Sequence, residues 1–226
     1  MVTDREHTRD RLLDTAERLF AEYGLAAVSH RRIAEESGQA NNSAVGYHLG
    51  DRRQLVAAIV RRHVGRMDER RVELLDAAAG SRELRDHLAC LVQPLTEHLD
   101  ALGVPSWYAR FVAHATTDPT LRKLVLDEVT ATEPMQRALT ALLDHTPATP
   151  PAVAALRADM ARHLIVHVCA EAERAFADRA PEATADWSAI ATSLLDAPTG
   201  LLAAPCSTPP LDEMTPDRGS AARAQP

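Results

Sequence analysis

The sequence predicts an all-α protein, and three observations carry that prediction. Between residues 4 and 23 the side chains Leu12, Leu13, Ala16, Leu19, Phe20 and Tyr23 recur at the three-and-four spacing of one buried helix face. Two short helical segments then flank Gly38. From Asp51 onward the pattern is helical almost throughout, with no alternating strand and no repeat of fixed period. A small three-helix unit followed by a larger helical body is the expected architecture.

Each element has local chemistry behind it. Gly24 stands where the first helix needs a left-handed residue to end it. Ser29 is a suitable N-cap for a second helix over residues 30–37, whose inward side is Ile33 and the small Ala34. Gly38 closes that segment, and the polar turn Gln39, Ala40, Asn41, Asn42 leads into residues 43–48, long enough for a short helix. Asp51 with Gln54 three residues on forms a capping pair, so a helix starts there and runs past Met67 toward Ala79, linking the first unit to the body. Further helices are expected near residues 82–102, 106–117, 119–144, 151–176 and 184–202, interrupted or kinked at Pro94 and Pro134. Residues 205–226 turn to Pro, Ser, Thr, Ala and Gly and are read as a disordered tail. The expected domains are thus 1–50, 51–204 and that tail.

The order of pieces in the first sixty residues is that of a helix-turn-helix DNA reader. Three words carry a closer likeness: Arg11-Leu-Leu-Asp-Thr-Ala-Glu-Arg-Leu-Phe-Ala-Glu-Tyr-Gly-Leu, Val28-Ser-His-Arg-Arg-Ile-Ala, and Tyr47-His-Leu-Gly-Asp-Arg-Arg-Gln-Leu. They resemble the amino-terminal domain of the TetR family of one-component transcriptional regulators, in several ordered motifs over about a quarter of the chain. The turn after Gly38 is one residue longer than the common family pattern, and Gly46 takes a position in the recognition helix that more often carries a large side chain. Glycine there costs about 1 kcal/mol, so order on DNA binding is expected of that segment. Leu49 and Gly50 replace the more usual aromatic residue and proline.

Geometry and the resemblance together nominate the DNA-facing residues. A recognition helix presents its N-terminal residues to base edges, which places Asn41, Asn42, Ser43 and Tyr47 at the major groove or its flanking phosphates. Asparagine can pair with adenine through both ends of its amide, although Asn41 or Asn42 can equally cap the helix and Tyr47 can equally pack. Arg31 is placed to reach a guanine or a phosphate, while Ser29, His48 and Arg52 are expected to hold the DNA backbone.

Charge supports this division of labour. Residues 1–66 hold 11 Arg against 9 Asp and Glu, a formal +2, whereas the remaining 160 carry a formal −9. Phosphate attraction must therefore be local, from Arg31, Arg32, Arg52, Arg53 and helix N-termini. Of the 25 basic residues only Lys123 is a lysine, which suits bidentate phosphate or guanine contacts and is equally explained by composition bias. No apolar run is long enough to span a bilayer, and the first residues lack the apolar core of a signal peptide, so no membrane partner and a cytoplasmic location are expected. Cys90, Cys169 and Cys206 are odd in number and widely spaced, hence reduced thiols.

The resemblance implies that the body senses a small molecule and pairs with a second copy. Val153, Leu156, Met160, Leu164, Val168 and Ala172 step along one helix, and Trp187, Ile190, Ala191, Leu194 and Leu195 along another, as homodimer stock; a monomer's core produces the same stripes. Trp107, Tyr108 and Phe111 with His114 are candidate ligand contacts, against the alternative of plain core. His163 and His167, with Glu171 four residues further, are the best metal or ligand candidate; Leu164 stands where zinc-peptidase helices place their glutamate, so a polar stripe or pocket wall is preferred and no metal or cofactor is expected. No nucleophile and base, phosphate loop or carboxylate couple stands out by spacing, so an enzyme is not expected. The expected function is a repressor of transcription, released from an inverted-repeat operator in double-stranded DNA by a small-molecule inducer. The alternatives are a ligand-independent activator or architectural protein, or an all-helical metal-dependent enzyme.

Overall fold

A computed structural model describes residues 4–38, 49–178 and 186–206. Among the described residues there are nine helices and no strand, so the protein is all-α as its sequence predicts. Helix α1 (Asp4–Tyr23) buries Leu12, Leu13, Ala16, Leu19 and Phe20, and Gly24 ends it at φ +76°. Tyr23 departs from the expected face: it is exposed, and its ring lies 3.8 Å beneath the Arg32 guanidinium. At the last turn of a helix there is no core left to face, and a cation over the ring gives the phenol side chain a better partner. Helix α2 (His30–Glu36) starts on Ser29, whose hydroxyl accepts from the Arg32 N–H at 3.2 Å, and buries Ile33 and Ala34. The short helix expected over residues 43–48, with Gly46, lies outside the described residues.

Helix α3 (Arg52–Ala78) opens with the expected capping box. The Gln54 N–H donates to Asp51 Oδ1 at 2.8 Å, and the Asp51 N–H donates to Gln54 Oε1 at 2.9 Å. The two unusual residues before it have a clear purpose. Leu49 is buried in the core, and Gly50 adopts φ +71° in a position where an added Cβ would sit 1.8 Å from Gln54 Oε1. Only glycine leaves room for the glutamine that closes the cap. The 27 residues of α3 reach about 40 Å, which carries the chain from the amino-terminal unit into the body.

Helix α4 (Leu84–Leu102) keeps Pro94 inside without breaking, and α5 (Tyr108–Thr117) follows after a turn. Of the interruption or kink expected at Pro134 within residues 119–144, the structure shows the interruption: the segment forms two helices, α6 (Arg122–Thr130) and α7 (Glu133–His145). Pro134 sits in the first turn of α7, where its missing N–H would have had no partner anyway, so the chain restarts there rather than bending. Helices α8 (Pro151–Ala177) and α9 (Trp187–Ala203) complete the fold.

One apolar core runs from Leu12 on α1 to Leu195 on α9. Helix α5 is one hub of it: it packs against α1, α6 and α8, while α9 packs against α4 and α8. Glu173 of α8 fixes that hub. Its buried carboxylate accepts from Ser106 Oγ (2.9 Å), the N–H groups of Ala109 (3.2 Å) and Arg110 (3.0 Å), and Arg110 Nε (3.1 Å). A carboxylate from a distant helix thus caps α5 and answers the positive end of its dipole.

Candidate nucleic-acid interface

The amino-terminal unit is braced by arginines before it offers any to a ligand. Arg11 Nη2 donates to the Ser37 carbonyl at 2.5 Å, and Arg18 joins Glu22 (3.0 Å) on α1 to Glu36 (2.5 Å) on α2. Arg32 pairs with Glu36 at 3.1 Å, so the two arginines hold the Glu36 carboxyl below its usual range. These contacts set the angle of α2 against α1.

Among the nominated residues, Arg31 is well exposed and pairs with Glu35 one turn on at 2.8 Å. An exposed pair of this kind is worth little and exchanges readily for a phosphate. Ser29 is taken up as the cap of α2. Arg52 reaches back from the start of α3 to the carbonyls of Leu25 and Val28, the latter at 2.6 Å, and so ties the α1–α2 loop to α3. Asn41, Asn42, Ser43, Tyr47 and His48 lie outside the described residues.

Beside this unit, Arg9, Arg53 and Arg61 line an open groove of about 620 Å³ with Leu49, Gly50, Gln54, Leu124 and Glu128. Arg53 donates to the Thr120 carbonyl at 2.8 Å, and Arg61 holds Glu128 at 2.6 Å. The adjacent arginines Arg52 and Arg53 were visible in the sequence; their attachments to two different parts of the fold, the α1–α2 loop and the Thr120 carbonyl, were not.

Residues 12–59 match the family model described as bacterial regulatory proteins, tetR family. Over this stretch the chain carries a TetR-type amino-terminal domain. Two curated relatives, each named HTH-type transcriptional repressor AcnR, come from Corynebacterium efficiens and Corynebacterium glutamicum. Each is 35% identical over 63 residues, which is 28% of this chain and 33% of the relative, so the likeness spans about a third of their length. The solved structure described as multidrug binding protein EbrR complexed with ethidium matches at 21% identity, over 83% of this chain and 97% of that chain, with a TM-score of 0.39.

The body residues nominated for a ligand divide between core and surface. Tyr108 and Phe111 are buried in the core; Tyr108 stacks on His63 at 3.9 Å and Phe111 stacks near Phe20 at 6.1 Å. Burial pushes the Tyr108 phenol far up, so it stays protonated. Trp107 packs against the same core, half-buried. His114 is half-buried, and burial, with Arg174 second, lowers its pKa. His163 and His167 stack on the outer face of α8 with ring centroids 6.0 Å apart. Arg162 Nη2 lies 3.1 Å from His163 Nε2, and since guanidinium only donates, that ring nitrogen accepts. Glu171 pairs with Arg174 at 3.5 Å. No group of three or more His, Cys, Asp or Glu suited to a metal occurs among the described residues. No described helix is long and apolar enough to cross a membrane.

The two apolar stripes also part company. On α8, Leu156 (56%), Met160 (45%), Leu164 (37%) and Val168 (36%) stay exposed, whereas Ala172 is buried. On α9, Trp187, Leu194 and Leu195 turn inward, with Trp187 edge-on to Phe176 at 5.2 Å. The α9 stripe is therefore core of the single chain. Cys90 and Cys169 are buried free thiols, and burial raises both, Cys169 to about 12.

Proposed function

We propose that this chain is a DNA-binding repressor of transcription that acts as a homodimer on an inverted-repeat operator and is released by a small molecule. The observation that carries the reading is the TetR-family match over residues 12–59, seated on a two-helix scaffold whose caps, glycines and buried face are all in place. The relatives named as transcriptional repressors support the repressor direction. Residues 1–50 serve as the reader and 51–204 as the sensing and pairing body.

Within the reader, Asn41, Asn42, Ser43 and Tyr47 face base edges, while Ser29, Arg31 and His48 meet the backbone. Arg52 serves by holding the α1–α2 loop, as its two carbonyl contacts suggest. The exposed Leu156, Met160, Leu164 and Val168 form the pairing face. A twofold axis there places two readers on one face of the duplex, about 34 Å or a multiple apart. Inducer in the body tilts α3, and the readers lose their common spacing. A difference of about 3 kcal/mol between the two states shifts operator affinity more than a hundredfold.

Selection of bound fragments from random-sequence duplexes tests the reading. An inverted repeat is expected, and Asn42→Ala should flatten sequence preference while Arg31→Ala weakens all sequences alike. Recovery of direct repeats or unrelated sequences would refute it.

A further inference from the structure

Glu17 on α1, His63 on α3 and His98 on α4 form a buried hydrogen-bonded chain where the reader meets the body. His63 Nε2 lies 2.8 Å from Glu17 Oε2, and His63 Nδ1 lies 2.7 Å from His98 Nε2. An ionised carboxylate only accepts, so His63 carries its proton on Nε2. The contact between the two rings has room for one proton: either His98 donates to a bare His63 Nδ1, or a charged His63 donates to a bare His98 Nε2. With both rings charged, two N–H groups point at each other and the bond turns into a repulsion.

Charged and aromatic groups reach the pair from three helices. From α1 come Glu17 and Asp14, both held by Arg62 of α3, at 2.6 and 2.5 Å. Burial pushes the Glu17 carboxyl up, but His63 and then Arg62 outweigh it and keep it ionised, below its ordinary value. From α3, Arg66 acts against a proton on His98, and Arg71 favours ionisation of Tyr108. From α5, the Tyr108 ring stacks flat on His63 and meets His98 edge-on at 5.9 Å. Glu17 is the carboxylate of this set that touches the pair, and Arg62 already shares it.

We propose that Glu17, His63 and His98 are positioning residues that fix the reader's angle on α3, and that charging both histidines releases the reader and weakens operator binding. This rests on the DNA-binding reading above. Burial, then His63 and Arg66, hold His98 down to about 4 from an ordinary 6.5, so the clamp is closed at neutral pH. A released state, in which His98 regains water, binds that proton near its ordinary value. Each pH unit between the two values therefore favours release by up to about tenfold.

The test is operator affinity of the full chain from pH 7.5 to 5, on a duplex recovered by selection at pH 7.5, for wild type and His98→Asn. Wild type should weaken by about tenfold or more over that range. In His98→Asn the ratio between the two ends should fall below about threefold, whatever its affinity at pH 7.5. Equal ratios in the two proteins would overturn the proposal. Ring ¹⁵N shifts of the wild-type chain without DNA give a second readout that needs no variant to fold. His98 should stay neutral below pH 5; titration near 6.5, like an exposed histidine, would overturn the clamp. If no duplex is bound at any pH the DNA-binding reading fails, and the ring shifts still decide whether the clamp exists.

Discussion

Arg71 Nε donates to the Cys90 carbonyl at 3.1 Å, and that carbonyl is the one Pro94 leaves without its helical N–H four residues on. Arg71 is almost wholly buried and pairs with Asp68 on its own helix. A proline inside α4 and a charge inside the core thus answer each other across the α3–α4 interface.

Arg71→Met should cost about 3 kcal/mol, because it strands Asp68 and leaves a buried acceptor unpaired. In a Pro94→Ala background the helix can supply its own N–H to Cys90, so the same substitution should cost about 1 kcal/mol less. Denaturant unfolding of the four proteins measures the coupling; strict additivity would show that the two residues do not interact.

Much of the amino-terminal fold was legible because it rests on local chemistry. Gly24, Ser29, Gly38, Asp51 and Gln54 act within a few residues of themselves, and each sits as its neighbours in sequence require. The Pro134 restart also follows a local rule, but the choice between a kink and a break depends on what packs beyond it. Distant partnerships carry no periodic signal. Glu173 caps a helix that begins 65 residues earlier in the chain, and His63 meets His98 across 35 positions. For the candidate site the same division holds: Ser29 was visible as a cap, whereas Arg52 turning inward to Leu25 and Val28 was not.

Glu173→Gln should destabilise the fold by about 2 kcal/mol. The amide still accepts hydrogen bonds but no longer answers the Arg110 charge or the α5 dipole. Thermal unfolding checks it, and Glu173→Ala should be worse, since Ser106 and two backbone N–H groups lose their acceptor.

Under the proposed pairing, Leu164→Glu should convert a two-chain particle to a single chain, because it places a charge in the middle of the exposed α8 stripe. Light scattering of the eluting protein reads the mass directly. Trp187→Ala on α9 should instead destabilise each chain, as its ring is core.

Stability should fall in acid before ordinary carboxylates titrate. His98 is depressed to about 4 in the fold and has 6.5 as its ordinary value, so its contribution is complete above 6.5 and is lost as pH falls toward 4. Allowing for screening by solvent, about 2 kcal/mol should disappear in that window. Glu17, also depressed, adds its loss at lower pH. Unfolding free energy measured from pH 8 to 4 should show the decline in wild type and a flatter curve in His98→Asn.

The most direct measurement of the central claim is binding of the full chain to its selected inverted repeat, compared with a scrambled duplex of equal length at two salt concentrations. A preference for the repeat of about a thousandfold is expected, with a steep loss of affinity with added salt for both duplexes. Equal affinity for the two sequences, or no binding to either at low salt, would contradict it.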